Sequence, residues 1–158
     1  MRPITSSTVH VLKKSKFRGF CVPIQNGSEV PNLLRQICGL DKNIPKASHP
    51  TMYAWKTANS NPDCSPILNK LINLNQGFND CNEGGAGLRI LGMLDRIHLV
   101  NILVVVTRWY GGTPLGPARF KCISDAGLDA LREAGFMDFK STVRDKTWID
   151  CLNVDQKR

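Results

Sequence analysis

Two carboxylates and three glycines stand together between Asp80 and Gly87, directly before an apolar pattern of helical period. Glycines let backbone N–H groups converge and a helix start favours negative charge, so one interpretation is a phosphate or carboxylate site. Asp80 and Glu83 would repel such an anion unless a metal ion lay between them. Their spacing also fits a capping box that needs no ligand. A structural cap, recognition of an anion or partner, and metal-assisted chemistry all remain open on this passage.

A second passage, from Arg108 to Gly116, places a guanidinium and two aromatic rings beside glycines at the end of an apolar run. Arg108, Trp109 and Tyr110 can together stack on bases or anchor a protein partner. The rings can equally close the core while the glycines form the turn. The passage favours an interface over a catalytic centre.

The remaining candidates for chemistry are weak. The three histidines lack zinc-ligand spacing, and the six cysteines form no Cys-x-x-Cys pair or dense disulfide framework. Neither of the common nucleotide-binding glycine fingerprints is present. A thiol mechanism joining Cys81 to His49 can be drawn, but nothing in the sequence brings them within reach. We therefore predict no catalytic residue, no metal site and no cofactor.

Positive charge is concentrated in the first half of the chain. The net charge is +8, and residues 1–75 hold ten Lys and Arg against three Asp and Glu. A basic patch of Lys13, Lys14, Lys16 and Arg18 lies near the N-terminus. Such a patch attracts anionic partners such as RNA, the ribosome or an acidic protein. The alternative is a solvated pair of basic strands that keeps the protein soluble.

The apolar patterns around these passages predict a mixed α/β core. Residues 101–107 form a continuous apolar run without alternation, which is typical of a central strand. The asparagine-rich residues 56–82 predict a long flexible loop, within which Ile67 to Leu74 could form one short helix. Further strands are predicted at 8–12, 17–24, 49–55 and 147–152, and helices at 28–39, 88–98 and 117–135.

Length and composition predict a single domain over residues 1–158. No apolar run is long enough to span a membrane, and the N-terminal residues lack the apolar core of a secretory signal. Because the six cysteines also lack the spacing of a disulfide framework, this predicts a cytoplasmic protein.

Five motifs occur in order along the chain and carry a resemblance to a known family. They are Lys-Ser-Lys-Phe at 14–17; Lys-Ala-Ser-His-Pro at 46–50 with Tyr-Ala-Trp at 53–55; Asp-x-x-Glu at 80–83 with Ala-Gly at 86–87; Val-Val-Val-Thr-Arg-Trp-Tyr-Gly-Gly at 104–112; and Leu-Gly-Pro-x-Arg-Phe at 115–120. Together they resemble the IMPACT family, which includes bacterial YigZ-type members. The resemblance covers about residues 8–135.

The resemblance implies an α+β fold. We expect a two-layer sandwich in which a roughly four-stranded mixed sheet carries two main helices on one face, similar to a domain shared by ribosomal proteins and elongation factors.

Longer eukaryotic members are cytosolic regulators of translation. They bind the ribosome-associated activator of the amino-acid-starvation kinase, reduce phosphorylation of the initiation factor and bind actin. No established enzymatic activity comes with the family.

The resemblance also implies a binding groove where the acidic loop and the aromatic loop meet side by side. The groove residues carried over from the family are His49, Tyr53, Asp80, Glu83, Arg108, Tyr110, Gly111, Gly112 and Gly116, to which we add Trp109 and Arg119.

This sequence departs from the family pattern in three respects. It leaves no room for the N-terminal RWD domain of the longer eukaryotic members or for the C-terminal ferredoxin-like domain of bacterial ones. The family's Asp-Asp-Gly-Glu is Asp-Cys-Asn-Glu at 80–83. We therefore expect a stand-alone member.

Three functions follow as hypotheses. The first is a non-enzymatic regulatory binding protein in cytosolic translational control, acting negatively on the starvation-kinase pathway. The second is an RNA- or ribosome-binding module that uses the basic patch with Trp109 and Tyr110. The third is an uncharacterised enzyme that acts on a phosphate-bearing ligand at Asp80, Glu83 and Arg108. None of them involves a membrane.

Overall fold

The computed structural model describes residues 2–60, 71–137 and 148–154. Short 3-10 turns at Gly27–Glu29 and Cys151–Asn153 accompany the regular elements. In chain order these elements are β1 (Thr5–Ser6), β2 (His10–Leu12), β3 (Ser15–Pro23), α1 (Val30–Cys38), β4 (His49–Ser60), β5 (Leu71–Asn79), α2 (Ala86–Ile97), β6 (Leu99–Val100), β7 (Ile102–Trp109), α3 (Ala118–Glu133) and β8 (Ile149–Asp150).

The main sheet runs in the order β1-β3-β7-β4-β5, and β2 also pairs with β3. Every pairing within it is antiparallel. The strand predicted to be central, β7, lies between β3 and β4 and is buried along nearly its whole length. Strands β6 and β8 form a separate parallel pair. In the described part of the chain, no helix is both long and apolar enough for a membrane span.

Apolar side chains cover both faces of the sheet because they alternate along its central strands. Val104 and Val106 of β7 pack with Phe17 against α2 and α3. Leu103 and Val105 of β7 point the other way and pack against α1. Two helices therefore lie on one face, as predicted, and a third helix covers the other. We call these the α2/α3 face and the α1 face.

Helix α3 lies in backbone contact with β3 at Gly19. A β-carbon at this position would overlap the carbonyl oxygen of Ala126. The close approach requires glycine, since any side chain would push the helix away from the strand.

The α+β class is confirmed, whereas the detail of the sheet differs from expectation. The sheet has six antiparallel strands instead of about four mixed ones, because β1 and β5 were not predicted. The predicted tail strand is reduced to the two residues Ile149–Asp150.

The largest correction concerns the predicted loop at 56–82. Residues 56–60 continue β4, and β5 occupies Leu71–Asn79, so the helix suggested up to Leu74 is wrong where the structure describes it. Residues 61–70 lie outside the described residues. Strand β5 is largely exposed, and one residue, Asn73, takes a positive φ of 54° beside a register shift. Asparagine tolerates this conformation, which is why an asparagine-rich segment can still form this strand.

Candidate functional site

The side chain of Glu83 is the centre of a charged cluster on the α2/α3 face. One carboxylate oxygen, Oε2, lies 2.6 Å from Nη1 of Arg108 and 3.2 Å from Nε2 of His49. The other, Oε1, lies 2.9 Å from Nε of Arg119. We call these four residues the glutamate cluster. The acidic loop, the end of β7, the start of β4 and the start of α3 therefore converge on one carboxylate.

Arg108 is the most buried member of the glutamate cluster, at 4% exposure. Its guanidinium carbon lies 5.3 Å from the ring centre of Phe17 and 5.6 Å from that of Tyr110. Its Nη2 lies 3.4 Å from Oγ of Ser15, and its Nε has no hydrogen-bond partner among the described residues. A guanidinium in such surroundings depends on the Glu83 carboxylate, because a buried charge without a partner is costly.

His49 reaches the glutamate cluster because of a bulge. The register shifts between His49, which pairs with Arg108, and Met52, which pairs with Val106. The extra residue turns His49 to the α2/α3 face. Its Nδ1 lies 2.8 Å from the carbonyl oxygen of Cys81, so both ring nitrogens face hydrogen-bond acceptors.

The same bulge separates His49 from Tyr53. Tyr53 packs with the core of the α1 face, so it does not join the predicted groove. Trp109 also packs with that core, and its Nε1 donates to the carbonyl oxygen of Asn43 at 2.9 Å. Two of the eleven predicted groove residues thus lie on the opposite side of the sheet from Glu83.

Asp80 holds the start of α2 from five residues before the N-cap position, Gly85. Its carboxylate accepts from the backbone N–H of Gly85 at 3.2 Å and from that of Gly87 at 2.8 Å. Gly85 has a φ of +87°, which glycine adopts readily. The acidic passage is therefore a structural cap at Asp80, whereas Glu83 turns to its cations instead of completing a capping box.

Two serines hold the start of the aromatic loop. Ser48 Oγ accepts from the Tyr110 N–H at 2.8 Å, and Ser15 Oγ accepts from the Gly111 N–H at 3.2 Å. A β-carbon on Gly111 would overlap the backbone of Lys14, so the loop packs directly on the first hairpin.

Glycines with positive φ shape the rest of the aromatic loop. Gly112 has a φ of +95° and Gly116 a φ of +57°. The carbonyl oxygen of Gly116 accepts from Nη1 of Arg119 at 2.7 Å, which joins the end of the loop to the glutamate cluster. The acidic and aromatic loops therefore meet, and Arg119 connects them.

The basic patch lies against a cleft of about 450 Å³ on the α1 face. We call this the basic cleft. Lys13, in the hairpin turn with a φ of 46°, does not line it. Lys46 was missed because no sequence pattern connects it to the patch. The lining side chains are Val9, Lys14, Lys16, Arg18, Asp41, Asn43, Lys46, Trp109 and Tyr110.

The described ranges also include the cysteine and histidine considered above for thiol chemistry. No group of three or more His, Cys, Asp and Glu able to hold a metal occurs there. His49 touches Cys81 through the carbonyl oxygen, while the Cys81 sulfur lies 3.9 Å from Oγ1 of Thr51. Burial raises the pKa of the thiols of Cys21 and Cys151, which keeps both protonated.

Comparison with known proteins assigns this arrangement to a family. The family model of the Impact N-terminal domain matches residues 13–131, which include the whole glutamate cluster and the basic patch. The chain belongs to the IMPACT family. This confirms the resemblance seen in the five motifs.

The IMPACT relatives differ in length. The chain is similar to the IMPACT family member YDL177C of Saccharomyces cerevisiae, with 39% identity over 83% of this chain and 91% of the relative. It is also similar to Protein IMPACT-B of Xenopus tropicalis, with 32% identity over 80% of this chain but only 36% of the relative. The chain thus spans about a third of the vertebrate relative and most of the yeast one.

Two solved structures are similar to this IMPACT-family chain. The two-domain translational regulator Yih1 matches with 29% identity and a TM-score of 0.53, over 82% of this chain and 46% of Yih1. A crystal structure described as a hypothetical protein matches with 24% identity and a TM-score of 0.59, over 84% of this chain and 62% of that protein. The second likeness supports the fold alone.

Proposed function

We propose that this chain is a non-enzymatic regulatory binding protein that acts in cytosolic translational control. Its membership of the IMPACT family and its likeness to Yih1, a translational regulator, support this role. Within that role we propose negative regulation of the amino-acid-starvation kinase, by binding the kinase's ribosome-associated activator. Actin is a second partner to test.

The observation that carries the proposal is that basic side chains surround the carboxylate of Glu83. Its two oxygens face three potential cations within 3.2 Å. A general base must reach a substrate proton, whereas this carboxylate is 8% exposed and three of its about four acceptor positions already face a basic side chain. The geometry therefore favours a fixed binding surface over acid–base chemistry on a phosphate-bearing ligand.

The surface we propose for the protein partner is the rim of the glutamate cluster. The side chains of His49 and Arg119 are 19% and 27% exposed beside the buried Glu83. Tyr110, which is 48% exposed, has its ring beside the guanidinium of Arg108. Arginine and tyrosine held rigidly at the edge of a buried centre are typical anchors of protein interfaces.

The experiment measures binding of the purified chain to the purified kinase activator, and initiation-factor phosphorylation in starved eukaryotic cells that overproduce the chain. We expect direct binding and lower phosphorylation. Arg119→Ala should weaken binding about tenfold, as expected for a central interface arginine.

Lys121→Ala is the matched control, because Lys121 lies two residues further along α3 with an 81% exposed side chain. It should leave both readouts unchanged. Absence of activator binding together with unchanged phosphorylation would reject the proposal. Binding of actin alone would reject the kinase pathway specifically.

A further inference from the structure

The basic cleft holds positive charge that the described protein does not neutralise. It is lined by Lys14, Lys16, Arg18 and Lys46 against one carboxylate, Asp41. Arg18 lies 3.9 Å from Asp41. None of the three lysines has an ion-pair partner among residues 2–60, 71–137 and 148–154, and all three are exposed. A local excess of positive charge attracts a polyanion.

Two of these cationic side chains extend from a strand, so the backbone of the sheet determines where they begin. Lys16 and Arg18 are two residues apart on β3, so their side chains leave the sheet on the same face. Lys16 pairs with Trp109 on the neighbouring strand β7. The two cations therefore form a short row beside an aromatic side chain.

Aromatic rings border the same cleft. Tyr110 is 48% exposed, and its backbone is held by Ser48. Trp109 is partly exposed, and its bond to the Asn43 carbonyl oxygen fixes the indole ring. Exposed rings held next to lysines are the combination with which proteins bind single strands, since bases stack on the rings while phosphates contact the cations.

We propose that the basic cleft binds single-stranded nucleic acid. Lys14, Lys16 and Lys46 contact phosphodiester groups, and the Tyr110 ring stacks on a base. The cleft volume of about 450 Å³ lies within the usual range of ligand pockets. An acidic protein segment could also pair with the lysines, but stacking of a base on the Tyr110 ring next to phosphate contacts is specific to nucleic acid and separates the two in the test. The proposal goes beyond the proposed function: it shares Tyr110 with the rim of the glutamate cluster, but its three lysines lie outside that rim.

The test measures fluorescence anisotropy of labelled oligouridylate and oligothymidylate, each of about ten nucleotides, over a range of salt concentrations. We expect the dissociation constant to rise with salt. Lys14→Ala with Lys16→Ala should reduce the steepness of the logarithmic salt dependence by about 1.4, since each lost phosphate contact on a single strand removes about 0.7. Lys46→Ala should remove about 0.7.

Tyr110→Ala tests the stacking part of the proposal. It should weaken binding at least about fivefold without changing the salt dependence, because it removes a ring and no charge. The paired control is Arg96→Ala with Lys121→Ala, which also removes two exposed cations but on α2 and α3. This control should bind like the unmodified chain. Thermal denaturation verifies that every variant is folded.

Three outcomes would overturn the proposal. The first is that neither oligomer binds at low salt, and the second is that the control pair loses as much affinity as the lysine variants. The third is that oligoglutamate competes as well as the nucleic acids while Tyr110→Ala has no effect. The last would assign the cleft to an acidic protein segment. Binding of either oligomer with the expected variant effects supports it, and the ratio of the two affinities shows which of the two oligomers the cleft prefers.

Discussion

The glutamate cluster and the basic cleft lie on opposite faces of the same end of the sheet. Charged side chains are buried and paired in the cluster, whereas the lysines of the cleft are exposed. In the cluster, Arg108 is 4% exposed and Glu83 is 8% exposed, and they are joined by a 2.6 Å contact. In the cleft, Lys14 and Lys16 are exposed and have no ion-pair partner among the described residues. Burial makes an unpaired charge costly, whereas exposure leaves it solvated at little cost. The buried centre of the first region therefore fixes the position of loops and leaves only its rim for a partner, whereas the lysines of the second region are all available to a ligand.

The strongest test of this contrast is Glu83→Ala. The substitution leaves Arg108 buried without its carboxylate, and we expect a loss of about 3–5 kcal/mol in the free energy of unfolding. Urea denaturation followed by circular dichroism measures it.

Glu133→Ala is the control for that substitution. Glu133 is exposed at the end of α3, so its loss should change stability by less than about 0.5 kcal/mol. If the two variants were equally stable, the glutamate cluster would not have the structural role assigned to it.

Asp129 on α3 is an intermediate case, with a side chain that is 19% exposed. Its Oδ2 accepts from the N–H and hydroxyl groups of Thr8 at 3.2 and 2.9 Å and lies 3.1 Å from Nε2 of His10. Asp129→Asn should cost about 1 kcal/mol, less than Glu83→Ala, because the amide keeps an acceptor but loses the charge. Urea denaturation at neutral pH measures the difference.

The pH dependence of that loss sharpens the prediction. Burial acts to raise the pKa of Asp129, but the hydrogen bonds from His10 and Thr8 outweigh it and hold the pKa below its usual value. The stabilisation is therefore present above the ordinary aspartate pKa of about 3.9 and is lost as the pH falls through the lower value of the folded state. Denaturation at a series of pH values should show the two proteins converging below about pH 4. A constant gap down to pH 2 would contradict this.

The smallest effect on stability is expected in the basic cleft. Lys14→Ala with Lys16→Ala should change the free energy of unfolding by less than about 0.5 kcal/mol per site, since the charges are solvated. Denaturation at low and moderate salt measures it. A large loss would show that these lysines support the fold and would weaken the contrast with the glutamate cluster.

The central elements were predictable because their signals are local. The apolar run that forms β7 and the periodic patterns of α2 and α3 reflect burial, which a single sequence displays directly. Strand β5 was missed because asparagine and glycine, which are unfavourable in strands, occur throughout it, although its apolar residues Ile72, Leu74 and Phe78 do alternate with polar ones.

The glutamate cluster could be anticipated only as a resemblance. Nothing local in the sequence links Glu83 to Arg119, which lies on another element, and spacing alone left a capping box equally open. The error at Tyr53 has a physical cause, since the bulge after His49 reverses which residues of β4 share a face. A single inserted residue in a strand changes neither the composition nor the apolar pattern enough to be recognised in the sequence.

Gly19 links the middle of the protein to its charged end. The carbonyl group of Ala126 occupies the space that a side chain at this position would need. The backbones of β3 and α3 therefore pack directly against each other, with no side chain between them. Arg119 lies in the first turn of the same helix. The position of its guanidinium therefore depends on the absence of a β-carbon at Gly19, two helical turns away along α3. A substitution such as Gly19→Ala would shift the helix and with it the Arg119 side chain, which Gly19 does not contact.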